Sequence, residues 1–383
     1  MRVLIAMDSF KGSCSAPEAA QAVSRGIRSV FPQAETILLP VADGGEGTVD
    51  ALVTIFHGEK RAVAAHDPLG RPITAEYGVL DADTAVVETA AASGLPLLRA
   101  EERDAVRATS YGTGELIRHA LEHGAKKIVL GLGGSATTDG GMGLAQALGV
   151  SFQDEAGREL GYGGGELTRL ARIETKGLMP EARACQFILA CDVKNKLCGE
   201  RGAAAVFSPQ KGAAPQQVRE LDNALAHYAA ILKDQLDCAA AETEGAGAAG
   251  GIACSMLAFC HAELRSGIHL VLDLAGFDAL VETADLVITG EGRIDAQSAF
   301  GKAPAGVAAR TKAVRDVPVL AIGGALGDGA EALLNCGVES VMSAVSRILP
   351  LEDAMANAAP ALEESTARMM RILKAGMSIG MQA

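Results

Sequence analysis

The first fifty residues limit the fold more than any other stretch. Residues 2–7, RVLIAM, are an apolar run of strand length that stops at Asp8-Ser-Phe-Lys-Gly12. Ser15-Ala-Pro-Glu18 follows: Ser15 caps a helix, Pro17 sits in its first turn and Glu18 closes a capping box, which predicts a helix to about Ser29. A second apolar run, 36–39, ends in Pro40-Val-Ala-Asp-Gly-Gly-Glu-Gly-Thr48. Strand, polar glycine turn and helix in repetition are the pattern of a parallel βα sheet. The rhythm returns after about residue 277. Run 284–289 ends in Gly290-Glu-Gly-Arg-Ile-Asp295, run 317–322 ends in Gly323-Gly-Ala, and run 338–343 precedes a closing helix over 351–373. Five such strands match a flavodoxin-like or Rossmann-like parallel sheet of order 2-1-3-4-5.

Between these two blocks the pattern differs. Runs 61–65, 73–80 and 85–88, with the turn Asp67-Pro-Leu-Gly70, read as a meander. A helix near 113–123 and a strand at 127–130 lead into Gly131–Gly143, GLGGSATTDGGMG, where six of thirteen residues are glycine. An irregular tract at 157–165, a strand at 187–190, a helix at 215–236 and a second glycine cluster at 245–251 complete the stretch. A chain of 383 residues exceeds the usual size of one hydrophobic core. The expected class is therefore α/β with two domains. One is discontinuous, 1–60 plus 280–383; the other, 61–279, is an inserted α/β domain, with the active site in the cleft between them.

Composition removes several classes of function. Aromatic residues are only 3% of the chain, which leaves little for stacking on bases. The formal charge is −13 with no compensating basic cluster, so nucleic acid and anionic membranes are not expected partners. Eight cysteines contain no CxxC pair, which argues against a zinc ribbon or a disulfide framework and fits a reducing cytoplasm. No apolar run approaches the length of a membrane span. A monomer or small homo-oligomer is expected.

In a sheet of this order, ligands bind where strands 1 and 3 end. Those ends carry Asp8, Lys11, Gly290, Glu291, Arg293 and Asp295, with Asp43 and Glu46 arriving from strand 2. Carboxylates, cations and glycine turns in one crevice suit phosphoryl transfer from ATP. Carboxylates hold Mg²⁺, cations neutralise the moving group, and one carboxylate takes the proton of the attacking hydroxyl. Asp8 and Asp295 are the candidates for metal ligand and base, Lys11 and Arg293 for anion binding. Gly44, Gly45, Gly133, Gly134, Ser135, Thr137 and Asp139 are the candidate phosphate cradle. Asp192, after strand 187–190, is a further candidate, with Lys211 beside it in rank. No GxxxxGK[ST] loop is present, Gly301-Lys302 coming nearest, and protein-kinase signatures are absent. The rival is a dinucleotide fold: GLGGSA fits GxGxxA, with Asp154 and Glu155 about twenty residues on, as an NAD(P)-linked hydroxy-acid dehydrogenase requires. It ranks lower because the helix should start inside the fingerprint, where Thr138-Asp-Gly-Gly-Met-Gly143 intervenes. His119 and His123 lie one turn apart, but the Glu of His119-Ala-Leu-Glu-His123 is not where a zincin needs it, and they read as a helix face. A non-catalytic small-molecule regulator ranks lowest, since no helix-turn-helix or basic face is evident.

Taken together, MDSFKGS at 7–13, PVADGGEGT at 40–48, VVETAAASGL at 86–95, the 131–143 loop, CDVKNKLCG at 191–199, VFSPQKGA at 206–213, GAAGG at 247–251 and TGEGRIDAQSAFGKAP at 289–304 resemble the bacterial glycerate kinase family of the first type. Thr138, Lys194, Lys196 and Ser208 depart from its pattern. The resemblance spans nearly the whole chain. It implies ATP- and Mg²⁺-dependent phosphorylation of D-glycerate at the 2-hydroxyl, with the 3-hydroxyl as the alternative, and the two-domain architecture above.

Overall fold

The structure is a computed structural model that describes residues 1–299 and 301–380; Phe300 and 381–383 lie outside the described residues. The chain sorts into two compact units, Met1–Asp43 with Asp50–Ile55 and Ile268–Ala383, and Gly44–Val49 with Phe56–Gly267.

The first unit opens with strands β1 (Arg2–Met7) and β2 (Glu35–Leu38). In the second unit follow β3 (Glu59–His66), β4 (Pro72–Val79), β5 (Thr84–Glu88), β6 (Lys127–Gly131), β7 (Ser151–Gln153), β8 (Arg172–Glu174), β9 (Gln186–Ala190) and β10 (Glu263–Arg265). The chain returns to the first unit with β11 (Leu286–Ile294), β12 (Val319–Leu326) and β13 (Ser340–Ser343).

The first unit is a parallel five-stranded sheet in the order β13-β12-β11-β1-β2. Val3, Ile5 and Met7 of β1 join a core with helix Ala16–Val30 and helix Ala358–Gly380, while Leu4 and Ala6 are as deeply buried. A strand buried on both faces reads as a continuous apolar run, and RVLIAM is one. The first helix starts as its residues dictate: the Glu18 N–H donates to Ser15 Oγ at 3.4 Å and the Ser15 N–H donates back to Glu18 Oε2 at 2.9 Å. A Cβ at Gly26 would lie 2.5 Å from the Glu363 carbonyl oxygen, so the two helices cross nearly backbone to backbone.

Two strands run past their expected ends. β11 continues through Gly290-Glu-Gly-Arg to Ile294, and β12 through Gly323-Gly324 to Leu326, still paired with each other. The glycines are strand members here, not turn formers. A Cβ at Gly290 would run into the Ile322 carbonyl oxygen, and one at Gly324 would lie 2.5 Å from the Gly292 carbonyl oxygen. Glycine in a strand marks such close approach.

The second unit is a six-stranded mixed sheet, β10-β9-β6-β5-β4-β3, antiparallel at the β3-β4-β5 meander and parallel beyond it. The tract between 151 and 174 adds the β7-β8 hairpin. Its core runs from Tyr77 and Leu116 through Phe152 to Tyr228 on helix Pro215–Leu236. No described helix is long and apolar enough to cross a membrane.

Candidate active site

The first unit gathers charge where β1 and β11 end. Met7 stands opposite Gly290 in the ladder, and the Asp8 N–H donates to the Gly290 carbonyl at 2.9 Å, so Asp8 and Glu291 become neighbours. Beyond β2 the chain keeps its register: the Leu39 N–H donates to Ile5 O at 2.8 Å and the Val41 N–H to Met7 O at 2.9 Å. Asp43 thereby arrives near the same two carboxylates. Asp8 is 3% exposed and Glu291 8%. Burial first and then Asp43 push the Asp8 carboxyl up to about 8, against the Ser9 N–H and Lys11. Burial raises Glu291 as well, with Ser298 and Lys302 opposing it. The Ser9 N–H donates to Asp8 Oδ1 at 2.6 Å, and Lys302 Nζ lies 3.5 Å from Glu291 Oε2. Glu291 Oε1 and Ser9 Oγ are buried without a hydrogen-bond partner. Such orphans are costly in a folded chain and call for an explanation, an ion or ligand among them.

These residues line the charged end of a cavity of about 400 Å³, to which Lys11, Arg293 and Lys302 bring the cations. The sheet reverses its winding between β1 and β11, so the cavity sits at the switch point of the fold. Much of the remaining lining is apolar and comes from 344–361. Among the described residues no three His, Cys, Asp or Glu side chains stand close enough to enclose a metal ion by themselves. Any cation here would complete its shell with ligand oxygens and water, the usual habit of Mg²⁺.

Asp8, Lys11, Asp43, Glu291 and Arg293 thus come together as the sequence suggested, but Asp295 does not join the cavity lining. Its carboxylate accepts from the Gln297 N–H at 2.9 Å and pairs with Arg293 at 3.3 Å, which makes it the cap of the short turn 296–299. Gly290 is also corrected: it is paired inside the sheet, with no open face for a phosphate. Lys302, weighed in the sequence only against a phosphate-loop pattern it does not fit, was missed. It occupies the cap position of helix Ala303–Val314, and that place beside a strand end was the available signal.

In the second unit the glycine loop serves mainly its own packing. β6 ends at Gly131 and the next helix, Met142–Ala147, begins only at the far end of the loop, so the dinucleotide reading fails on geometry. Asp154, its proposed ribose ligand, is held by Arg158 at 2.8 Å and Arg169 at 3.1 Å. Gly44 and Gly45 are not an open cradle. A Cβ at Gly133 would lie 2.5 Å from the Gly45 Cα, and one at Gly44 2.7 Å from the Ala190 Cβ. The second glycine cluster presses on the same loop, where a Cβ at Gly250 would run into the Thr137 carbonyl oxygen. Thr137 and Asp139 are fully buried and cannot reach a cofactor as drawn from the sequence. Asp139 accepts from Ser110 N and Ser110 Oγ, both at 2.8 Å, and from the N–H groups of Gly141 at 3.1 Å and Gly143 at 3.3 Å. It organises the loop. Lys211, 2% exposed, donates to Ser135 Oγ at 3.0 Å and to the Thr137 carbonyl at 2.6 Å. Burial drives its ammonium down to about 7. Gly133 and Gly134 remain the accessible part of the loop, next to the edge of Ser135. Asp192, exposed at the end of β9, accepts from the Gly267 N–H at 3.0 Å.

A family profile described as the glycerate kinase family matches residues 3–374. The chain belongs to the glycerate kinase family. It is 47% identical over 364 residues to a glycerate kinase of Halalkalibacterium halodurans, covering 95% of this chain and 96% of the relative. With the glycerate 2-kinase of Escherichia coli strain K12 it shares 45% over 383 residues, 100% of this chain and 99% of the relative. A crystal structure of a protein assigned as glycerate kinase 2 from Salmonella typhimurium LT2 superposes with a TM-score of 0.89 at 44% identity, over 99% of both chains. Two of the segments that carry the glycerate kinase resemblance, 7–13 and 289–304, supply Asp8, Lys11, Glu291, Arg293 and Lys302 to the cavity; Phe300 within the second lies outside the described residues.

Proposed function

We propose that the chain transfers the γ-phosphoryl group of ATP to the 2-hydroxyl of D-glycerate, giving 2-phospho-D-glycerate and ADP. The observation that carries this reading is the Asp8, Asp43 and Glu291 cluster beside Lys11 and Lys302 at the switch point, in a chain of this family. The substrate hydroxyl attacks the γ-phosphorus and the bond to the β-bridging oxygen breaks. Asp8 takes the hydroxyl proton, a role for which a carboxyl held near 8 by burial and neighbouring charge is suited. Lys11 and Lys302 place the phosphates and offset the charge that gathers on them. Oxygen donors with an unpartnered Glu291 Oε1 suit Mg²⁺, which Asp43 and Glu291 would hold. When bound it supplies charge neutralisation on the phosphate oxygens.

Release of ADP that depends on D-glycerate tests the reaction, and NMR of the phosphorylated product tests the position. A product carrying phosphate on the 3-hydroxyl would replace this regiochemistry. Reduction of NAD by glycerate without ATP would overturn the kinase reading itself.

A further inference from the structure

The cavity of the first unit has two unlike ends, and the difference identifies its occupant. We infer that this cavity is the nucleotide subsite, with the purine base against the wall formed by 344–358 and the phosphates toward Lys11 and Lys302. The inference rests on the kinase reading and assigns which of its two substrates sits here.

Three observations carry it. First, about 400 Å³ falls in the range of pockets that enclose drug-sized ligands, and a short sugar acid would leave most of it empty. Second, the wall is built from Ala344, Val345, Leu351, Ala354, Met355 and Ala358, none with a side chain that hydrogen-bonds strongly. Glycerate bears an oxygen on every carbon and has no apolar face to lay on such a wall. A purine has two, and the polarizable thioether of a methionine packs well against an aromatic ring. Third, the wall and the charged end adjoin: a Cβ on Gly12 would lie 3.0 Å from Met355 Cε, so Met355 reaches the 8–12 turn that carries Asp8 and Lys11. An apolar surface continuous with a cluster of lysines fits a ligand that is flat and apolar at one end and polyanionic at the other.

The chain contains no tryptophan, which makes the test direct. Leu351→Trp places a single indole at the exposed rim of the wall. ADP with Mg²⁺ is expected to change its fluorescence saturably, and D-glycerate alone is not. In a second variant, Ala354→Leu narrows the wall and is expected to raise KM for ATP at least about tenfold while leaving KM for D-glycerate within about twofold. A response of the indole to glycerate but not to ADP would overturn the assignment, as would an Ala354→Leu enzyme whose KM rises for glycerate alone. If the wild-type protein releases no ADP with glycerate, the kinase reading fails, and an ADP response of the Leu351→Trp protein still upholds a nucleotide site.

Discussion

Replacing Lys211 with methionine should change how the stability of the second unit depends on pH. The Lys211 ammonium is wholly inside the protein, and burial lowers it from 10.5 to about 7, with Asp139 opposing the shift. The unfolded chain therefore holds a proton on this side chain up to about pH 10.5, whereas the folded chain gives it up near 7. In that window unfolding takes up a proton, so stability rises with pH; below 7 both states are charged and the slope vanishes. At about 1.4 kcal/mol per pH unit, the wild-type protein should gain on Lys211→Met by up to about 3 kcal/mol between pH 7 and 9. Relaxation of the interior brings the expected value nearer 2 kcal/mol. The assay is built into the sequence: all four tyrosines, Tyr77, Tyr111, Tyr162 and Tyr228, belong to the second unit and there is no tryptophan. Tyrosine fluorescence in urea thus follows this unit alone. The difference between the two proteins should be flat from pH 5.5 to 6.5 and widen toward 9. Parallel curves across the whole range would refute a buried lysine that gives up its proton near 7 in the folded chain.

Gly250→Ala should destabilise the second unit by about 3 kcal/mol or more, read by the same tyrosine signal, because φ is +67° and the new methyl would strike the Thr137 carbonyl. Ser15→Ala removes one half of the capping box on the first helix and should cost about 1 kcal/mol, read as a lower urea midpoint in circular dichroism.

The parts legible in the sequence are those decided locally. The strand at 2–7, the helix opened by Ser15 and Glu18, and the helix 215–236 each carry their own signals, and the structure has them at Arg2–Met7, Ala16–Val30 and Pro215–Leu236. The α/β class with parallel sheets follows from the same local rhythm. Glycine misled wherever its reason lay far away in the chain. Gly290 and Gly324 read as breakers because nothing local reveals that β11 and β12 crowd each other. The 131–143 loop read as a cradle because its contacts with 44–45 and 249–251 are long-range. Asp139 shows the same limit: its residue type suited a ligand, but four hydrogen bonds claim it, two from the distant Ser110 and two from Gly141 and Gly143 of the loop. Asp8, Asp43 and Glu291 come together as read because a carboxylate at a strand end is placed by the strand itself. The apolar lining from 344–358 was invisible, since apolar residues spread over a loop and two helices look like any core.

Turnover of Asp8→Asn and Asp295→Asn, measured side by side as D-glycerate-dependent ADP release on proteins with matching circular dichroism, tests the site most directly. The structure puts Asp8 in the cavity, buried among carboxylates, and gives Asp295 to a turn. Asp8→Asn is therefore predicted to lose roughly a thousandfold in kcat, and Asp295→Asn to stay within about fivefold of wild type. An Asp8→Asn enzyme of near-normal turnover, with Asp295→Asn inactive, would contradict the account.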